Sequence, residues 1–319
     1  MGPYIIRRLF MAVIIILLVT VMVFSAMRLL PGDPLIIYLG QNANIAQMSE
    51  ETLGELRREY GLDKTPVMQY FDWIGGIFRG DLGRSITYRD NVANLMAQRF
   101  PITIHIGLTA FVLGNIIGIL FGVIAALRMG KWFDITATVF SYIGISIPVF
   151  WLGFILMYVF GLQLRWLPLS GYVPLSQGIW ESTRHIIMPV ACLMITGLAI
   201  IMRQTRSSVL EVSRQDYIRT AWSKGLRERY IVIKHMLKNS LIAVVTLLGI
   251  GVGLIFGGSV LIETVFAIPG VGRLLVTSVF QQDYIVVQSG VLVISSIVIL
   301  SNLLVDISYG WLDPRIRFG

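Results

Sequence analysis

Long apolar runs separated by short polar segments dominate the chain. An α-helix needs about 20 mostly apolar residues to cross the hydrocarbon core of a bilayer. Runs near this length predict six transmembrane helices, near residues 9–29, 101–127, 135–161, 186–202, 239–262 and 285–308. Two long polar segments separate them, one at 30–100 and one at 203–238. The pattern predicts an all-α polytopic membrane protein, with residues 1–319 forming a single transmembrane domain.

Composition agrees with a membrane protein and limits its chemistry. Hydrophobic residues make up 55% of the chain, charged residues 14%, and the mean hydropathy is +0.76. These values are too apolar for a soluble domain of this size. Cys192 is the only cysteine, which excludes an intramolecular disulfide and a cysteine-based metal cluster.

Basic residues predict which segments face the cytoplasm. Of the 26 Lys and Arg residues, 15 fall in the two termini and in the segments near 128–134 and 203–238, whereas the two short loops on the other side hold three. Cytoplasmic loops carry an excess of Lys and Arg. We therefore expect both termini and the segment 203–238 in the cytoplasm, and the segment 30–100 outside.

The outer segment 30–100 is predicted to hold two helices. Ser49 can cap the first helix, whose last turn contains Arg57 and Arg58 and which Gly61 can end. The second helix follows Pro66. Its apolar stripe suits packing on the membrane surface or on the other spans, and it consists of Val67, Tyr70, Phe71, Ile74 and Phe78.

Glycines and prolines within the predicted spans indicate where helices approach each other or bend. Gly114, Gly118 and Gly122 recur every fourth residue in span 2, a pattern that allows close helix packing in lipid. Pro148 in span 3 and Pro189 in span 4 each remove a backbone donor. Pro189 is expected to be tolerated because it lies near a span end, while Pro148 fits either a kink or toleration.

The segment 203–238, called the basic segment below, combines positive charge with a helical apolar stripe. It holds nine Lys and Arg against three acidic residues. One helix face carries the residues at i, i+3, i+4 and i+7 spacing, namely Tyr217, Ile218, Ala221, Trp222 and Gly225. Arg214, Arg219 and Lys224 lie mostly off that face. The stripe predicts contact with a partner; the alternative is a basic loop lying on anionic lipid head groups.

Several kinds of chemistry are missing from the sequence. It has no phosphate-binding loop for ATP, no Gly-x-Ser-x-Gly nucleophile elbow, and three histidines without a neighbour at ligand spacing. Predicted spans 2 to 5 carry no charge in their interiors, although coupling to protons or sodium usually needs an intramembrane carboxylate. We therefore expect a six-span bundle without an enzymatic site, which is either passive or takes its energy from a partner outside the membrane.

Part of the basic segment resembles the cytoplasmic loop of permease subunits of bacterial ATP-binding-cassette (ABC) importers. It reads Asp216-Tyr217-Ile218-Arg219-Thr220-Ala221, then Lys224-Gly225-Leu226. The residues that match the general family pattern are Ala221, Gly225 and Leu237. The residues that depart from it are Arg219, Thr220, His235 and Lys238. The form Arg-Thr-Ala-x-x-Lys-Gly resembles the branch of dipeptide, oligopeptide and nickel permeases, in particular its B-type subunit.

Other motifs carry the same resemblance along the chain. They are Leu30-Pro31-Gly32-Asp33-Pro34, Tyr60-Gly61-Leu62-Asp63, Gly80-Asp81-Leu82-Gly83, Pro269-Gly270-Val271-Gly272-Arg273, Asp283-Tyr284 and Asp313-Pro314-Arg315-Ile316-Arg317. The resemblance implies a type I importer permease in the bacterial inner membrane, which encloses the translocation path with a second, usually different, permease subunit. It also implies two cytoplasmic ATPase subunits, which bind ATP and Mg so that this chain has no cofactor of its own, and an external substrate-binding protein. No nucleic acid or metal is implied.

By the same resemblance, the basic segment is expected to form a coupling helix from Arg214 to Gly225 and a second helix from Leu226 to Lys238. The apolar stripe is expected to insert into a groove on an ATPase subunit, while charged residues contact acidic groups there. The expected coupling residues are Arg214, Asp216, Tyr217, Ile218, Arg219, Ala221, Trp222, Lys224 and Gly225.

The substrate is the least determined feature of the sequence. The branch favours peptides over nickel, a nickel chelate or glutathione, and spans without charge leave selectivity to the external binding protein. Two other functional classes stay open: a secondary transporter or channel that works without an ATPase, and a membrane scaffold or sensor without a transported solute.

Overall fold

The computed structural model describes residues 2–29, 54, 55, 57, 58 and 61–312, and this part of the chain is built of helices as predicted. Its main α-helices are α1 (Gly2–Leu29), α2 (Pro66–Phe78), α3 (Val92–Leu127), α4 (Trp132–Ser146), α5 (Val149–Leu156), α6 (Ile179–Ser213), α7 (Asp216–Ser223), α8 (Lys238–Val265), α9 (Val271–Phe280) and α10 (Tyr284–Leu312). Among the described residues, four helices are long and apolar enough to cross a membrane, and the number of candidate spans rises to six when each of two bent helix pairs is counted as one span.

Several helices extend beyond the predicted spans. Where the sequence predicted a span at 186–202, α6 runs over Ile179–Ser213, so the start of the basic segment belongs to this helix. Likewise α3 begins at Val92 rather than at residue 101. Both helices continue into polar sequence, because a helix can extend beyond the part of it that crosses the bilayer.

The helices form two compact units. Unit 1 consists of the described residues up to Ile102 and from Pro269 onward, and within it α1 and α9 both pack against α10. Unit 2 runs from Thr103 to Ile268, and α6 is its centre because α4, α5 and α8 all pack against it.

The two prolines behave differently. Pro148 separates α4 from α5, and the two halves of the third span meet at 104°. Ile147 before it has φ −74° and ψ 125°, the extended conformation to which a following proline restricts a residue. Pro189 instead lies inside the continuous helix α6, as predicted. Of the two alternatives at Pro148, the kink is therefore correct.

The glycine ridge of span 2 faces α6. A Cβ atom added to Gly122 would lie 2.6 Å from the carbonyl oxygen of Met202, and one added to Gly118 would lie 3.0 Å from that of Leu198. Only glycine permits this backbone approach, as the four-residue spacing predicted.

The second predicted outer helix is confirmed as α2, which starts at Pro66. Gly61 adopts φ +64°, and Leu62 N–H donates to the carbonyl of Arg57 at 2.8 Å, a pattern that ends a helix. Thus the predicted stop at Gly61 is also confirmed. Ser49, Tyr60 and the motifs at 30–34 and 313–317 lie outside the described residues.

A hydrogen-bonded knot in unit 1 joins two of the family-like motifs. The carboxylate of Asp283, 1% exposed, accepts hydrogen bonds from Ser85 Oγ at 2.5 Å and from Thr87 N–H at 3.0 Å. Ser289 Oγ donates to the carbonyl of Leu82 at 2.7 Å. These contacts fix the loop after Gly80-Asp81-Leu82-Gly83 onto the start of α10. We call Leu82, Ser85, Thr87, Asp283 and Ser289 the polar knot.

Candidate functional site

The basic segment forms the short helix α7 (Asp216–Ser223), within the range Arg214 to Gly225 that the sequence predicted. Asp216 places an acidic side chain in the first turn, where the helix dipole favours negative charge. Gly225 adopts φ +69°, which glycine reaches without strain, and its N–H donates to the Trp222 carbonyl at 2.9 Å. Gly225 therefore ends the helix as predicted, while Arg214 lies at the end of α6.

Two of the four apolar side chains of α7 are buried within this chain. Ile218 is 1% exposed and Ala221 is 6% exposed. They pack against residues from the end of α3, from α6 and from the π-helical segment that follows, namely Ala126, Val209, Ile231, Val232 and Met236. The expectation that Ile218 and Ala221 insert into a partner is therefore wrong, because the chain's own helices already cover this side of α7.

The other two apolar side chains point outward. Tyr217 is 42% exposed and Trp222 is 49% exposed. Arg214, Arg219 and Lys224 are exposed as well. We call these two aromatic and three basic side chains together the α7 exposed face.

Tyr217 is also held in place. Asn239 Nδ2, at the start of α8, donates a hydrogen bond to the Tyr217 hydroxyl at 2.8 Å. Asp216 lies 3.8 Å from Arg219 in an ion pair whose side chains are 98% and 77% exposed, and a pair this exposed adds little stability. The hydrogen bond positions the ring, whereas the ion pair leaves Arg219 available to a partner.

Sequence reasoning missed further exposed residues of the basic segment. Tyr230 is 44% exposed and Ile233 is 66% exposed, and Lys234 Nζ lies 4.8 Å from the centre of the Tyr230 ring. The sequence signal that could have identified them is the spacing of Tyr230 and Ile233, three positions apart among the basic residues of this segment. The second predicted helix, Leu226 to Lys238, instead begins at Glu228 and continues through the π-helical Ile231–Leu237 into α8.

A buried ion pair supports the base of the basic segment. Asp134 at the start of α4 is 4% exposed and accepts hydrogen bonds from Arg206 Nε at 2.5 Å and Nη2 at 2.9 Å. Gly130 N–H donates to the same carboxylate at 2.9 Å. This bidentate contact joins α4 to the C-terminal part of α6, which precedes α7. Sequence reasoning missed it because the partners lie 72 positions apart.

The described residues contain no group of side chains arranged to hold a metal ion. No three His, Cys, Asp or Glu side chains there stand together as metal ligands would. His105 pairs with Tyr172, with 2.9 Å between Nδ1 and the hydroxyl oxygen. Burial raises the pKa of Tyr172, so its hydroxyl stays protonated at neutral pH.

Two family models match the chain. One, the N-terminal part of a binding-protein-dependent transport system membrane component, matches residues 1–107, and the other, a binding-protein-dependent transport system inner membrane component, matches residues 118–318. Together they cover most of the sequence.

Relatives match over almost their whole length. The di/tripeptide transport system permease protein DppB of Pseudomonas aeruginosa is 40% identical, with 99% of each chain covered. The dipeptide transport system permease protein DppB of Escherichia coli is 38% identical, with 99% of each covered. A probable peptide ABC transporter permease protein of Sinorhizobium fredii is 39% identical, with 100% of each covered.

The fold is shared with a solved transporter. A chain of the MetNI methionine ABC transporter in an inward-facing crystal form superposes with a TM-score of 0.54 at 18% identity, covering 69% of this chain and 96% of that one. This likeness confirms the predicted permease fold. The chain belongs to the family of inner-membrane permease components of binding-protein-dependent ABC transport systems, which work with ATPase and binding-protein partners and are not enzymes by themselves.

Proposed function

We propose that this chain forms half of the translocation path of an ABC importer for peptides, and that the α7 exposed face docks on a cytoplasmic ATPase subunit. The observation that carries the proposal is the division of α7, which buries Ile218 and Ala221 in its own chain while exposing Tyr217 and Trp222. A basic helix that only fixed the orientation of the chain in the membrane would need neither a side buried against its own chain nor exposed aromatic residues on its other sides. Full-length relatives named for peptides support the substrate class.

The anchored side of α7 explains how motion would pass into the membrane. Ile218 and Ala221 lock α7 against α3, α6 and the segment that leads into α8. α6 runs unbroken over 35 residues, a rigid length of about 52 Å. Closure of the ATPase pair against Trp222 would therefore move α6 and α8 with α7 and switch the path from inward to outward facing.

The proposed orientation places both termini and the basic segment in the cytoplasm. Ala126, at the end of α3, packs in one cluster with Ile218. The segments near 128–134 and 203–238 therefore lie at the same end of unit 2, as the distribution of Lys and Arg requires. The complete importer in this proposal contains a second, different permease, two ATPase subunits that bind ATP and Mg, and an external binding protein.

A cavity of about 350 Å³ in unit 2 suits peptides better than a metal ion. Its wall is formed mainly by apolar side chains and glycines, with Asn115 and Thr196 as polar members. A wall without charge offers few contacts to any one side chain, so peptides of varied sequence could pass, whereas bare nickel prefers nitrogen, oxygen or sulfur ligands.

The substitution Trp222→Asp tests the proposal in the assembled importer. Large aromatic contacts often dominate interface energies, so we expect peptide uptake and peptide-stimulated ATP hydrolysis to fall by about tenfold or more. The amount of chain in the membrane should not change, because Trp222 is half exposed.

The matched control is Trp132→Asp, the same change at a 70% exposed tryptophan at the start of α4. This variant should keep normal uptake. Unchanged uptake in Trp222→Asp would refute the docking role, and uptake without any ATPase subunit would favour an independent transporter.

A further inference from the structure

Unit 1 contains a polar cavity of about 170 Å³ between the end of α1, helix α2 and the start of α10. It lies apart from the basic segment in the sequence, and the proposed coupling role does not use it. Its polar wall is formed by Arg28, Gln69, Asp72, Trp73, Asp81 and Gln288.

Two buried donors in this wall lack an acceptor. Within the described residues, neither Nη1 of Arg28 nor Nε2 of Gln288 has a hydrogen-bond partner. The Gln288 side chain is deeply buried, with the residue 3% exposed. Native proteins rarely leave buried donors unpaired, and such groups indicate a role that the chain alone does not satisfy.

The Arg28 guanidinium is fixed so that it cannot turn away. It lies 4.9 Å from the centre of the Phe24 ring and 4.7 Å from that of the Tyr284 ring, and its Nη2 donates a hydrogen bond to Gln69 Oε1. These contacts hold the guanidinium between two aromatic rings and Gln69. Arg28 is thus a positioned positive group in the cavity wall, and its Nη1 is the donor left without a partner among the described residues.

The length of α1 places this cavity at the membrane surface. The apolar stretch Ile6–Leu29 has 24 residues, which as a helix measures about 36 Å against a hydrocarbon core of about 30 Å. Arg28 is the next-to-last residue of this helix. Its guanidinium therefore lies at the level of the lipid head groups.

Helix α2 gives independent support for this depth. Its residues Gln69, Asp72 and Trp73 line the cavity. On other sides of the helix, Val67, Phe71 and Phe78 are 65%, 66% and 86% exposed. An amphipathic helix that exposes large apolar side chains is typical of one lying in the membrane interface, so lipid borders the cavity.

The carboxylates in the wall determine the charge of the ligand. Asp72 is neutralised by Lys64, whose Nζ lies 2.7 Å away. Asp81 Oδ1 accepts Gly83 N–H at 2.8 Å. A purely anionic ligand would meet Asp81 unfavourably, whereas a ligand with a phosphate and an ammonium group would satisfy both signs of charge.

We propose that this cavity binds the head group of an ethanolamine phospholipid, with its phosphate on Arg28 and Gln288 and its ammonium group toward Asp81. The volume of 170 Å³ corresponds to about five water molecules at about 30 Å³ each, enough for a small zwitterionic head group. The lipid would hold α2 against α1 and α10.

Native mass spectrometry of the assembled transporter, purified from nanodiscs with equal amounts of phosphatidylethanolamine and phosphatidylglycerol, tests the proposal. Wild-type transporter should retain phosphatidylethanolamine preferentially, Arg28→Gln should reduce its retention about tenfold because a charge-assisted contact is lost, and Gln288→Leu should reduce it severalfold. Arg184→Gln is the matched control, since Arg184 already pairs with Glu181 at 3.3 Å, and it should retain lipid like the wild type.

Three results would overturn the proposal: equal retention by Arg28→Gln and wild type, equal retention of the two lipids by the wild type, or displacement of phosphatidylethanolamine by dialanine, which would assign the cavity to peptide termini. If Arg28→Gln does not assemble, Gln288→Leu and the wild-type lipid ratio decide the question, because Gln288→Leu leaves the ring contacts of Arg28 intact.

Discussion

The basic segment in unit 2 and the polar knot in unit 1 both contain motifs that resemble the same importer branch. They differ in burial, because the polar groups of the knot are buried whereas the Asp216–Arg219 pair of the basic segment is exposed. In the knot, Ser85 is 0% exposed and Asp283 is 1% exposed, and they bond to each other. In the basic segment, Arg219 and Asp216 form a loose ion pair that is largely exposed.

The difference shows that a motif match alone does not indicate what a residue does. Residues of the polar knot satisfy each other, so the family-like motifs there stabilise the fold. In the α7 exposed face, Tyr217 and Trp222 remain 42% and 49% exposed, and we propose that a partner covers them. Burial and hydrogen bonding, rather than similarity, separate the two roles.

The sharpest comparison uses neighbouring residues of α7. Ile218→Asp should lower the free energy of unfolding by about 4 kcal/mol or more, because it places an unpaired charge in a buried cluster. Arg219→Asp, at the neighbouring position whose side chain is 77% exposed, should cost less than about 1 kcal/mol. Melting temperatures and membrane amounts of both variants check this, and similar losses in the two would show that α7 has no exposed side.

Asp283→Ala tests the polar knot. It leaves the buried Ser85 hydroxyl and Thr87 N–H without their acceptor, and we expect a loss of about 2–3 kcal/mol. Asp216→Ala, at an exposed carboxylate in the basic segment, is the control and should cost less than about 1 kcal/mol. Thermal unfolding of the purified transporter measures both. A normal melting temperature for Asp283→Ala would mean that the knot is not structural.

Asp134→Asn should have the smallest effect of the three on stability. It keeps the shape of the side chain and the contact with Gly130 but removes the charge that binds Arg206, for an expected loss of about 1–2 kcal/mol. Peptide-stimulated ATP hydrolysis should fall as well, since the pair holds α6 at the base of the basic segment. Glu211→Gln, at an exposed position of α6, should change neither the stability nor the peptide-stimulated ATP hydrolysis. An equal effect of both substitutions would show that the Asp134–Arg206 pair does not contribute specifically to either.

Much of the fold could be predicted from the sequence because lipid imposes one strong pattern. Long apolar runs identified the spans, Pro66 and Gly61 marked helix ends in the outer segment, and Gly225 marked the end of α7. The ends of α3 and α6 could not be predicted in this way, because a helix can continue with polar residues beyond the bilayer. Nor did the local sequence decide whether Pro148 breaks its span.

The helix within the basic segment could be predicted from the sequence, but the burial of its individual side chains could not. Periodicity shows that Tyr217, Ile218, Ala221 and Trp222 share one side of a helix, but it does not show which of them the chain covers itself. That depends on the ends of α3 and α6 and on the segment before α8, which are distant in sequence. The same distance concealed the Asp134–Arg206 pair.

Photocrosslinking from position 222 tests the central claim most directly. A benzophenone amino acid replacing Trp222 in the assembled importer should crosslink to the ATPase subunit, while the same amino acid replacing Trp166, which is 62% exposed in the loop before α6, should not. A crosslink from position 166 but not from 222 would contradict the proposed docking face and the proposed orientation together.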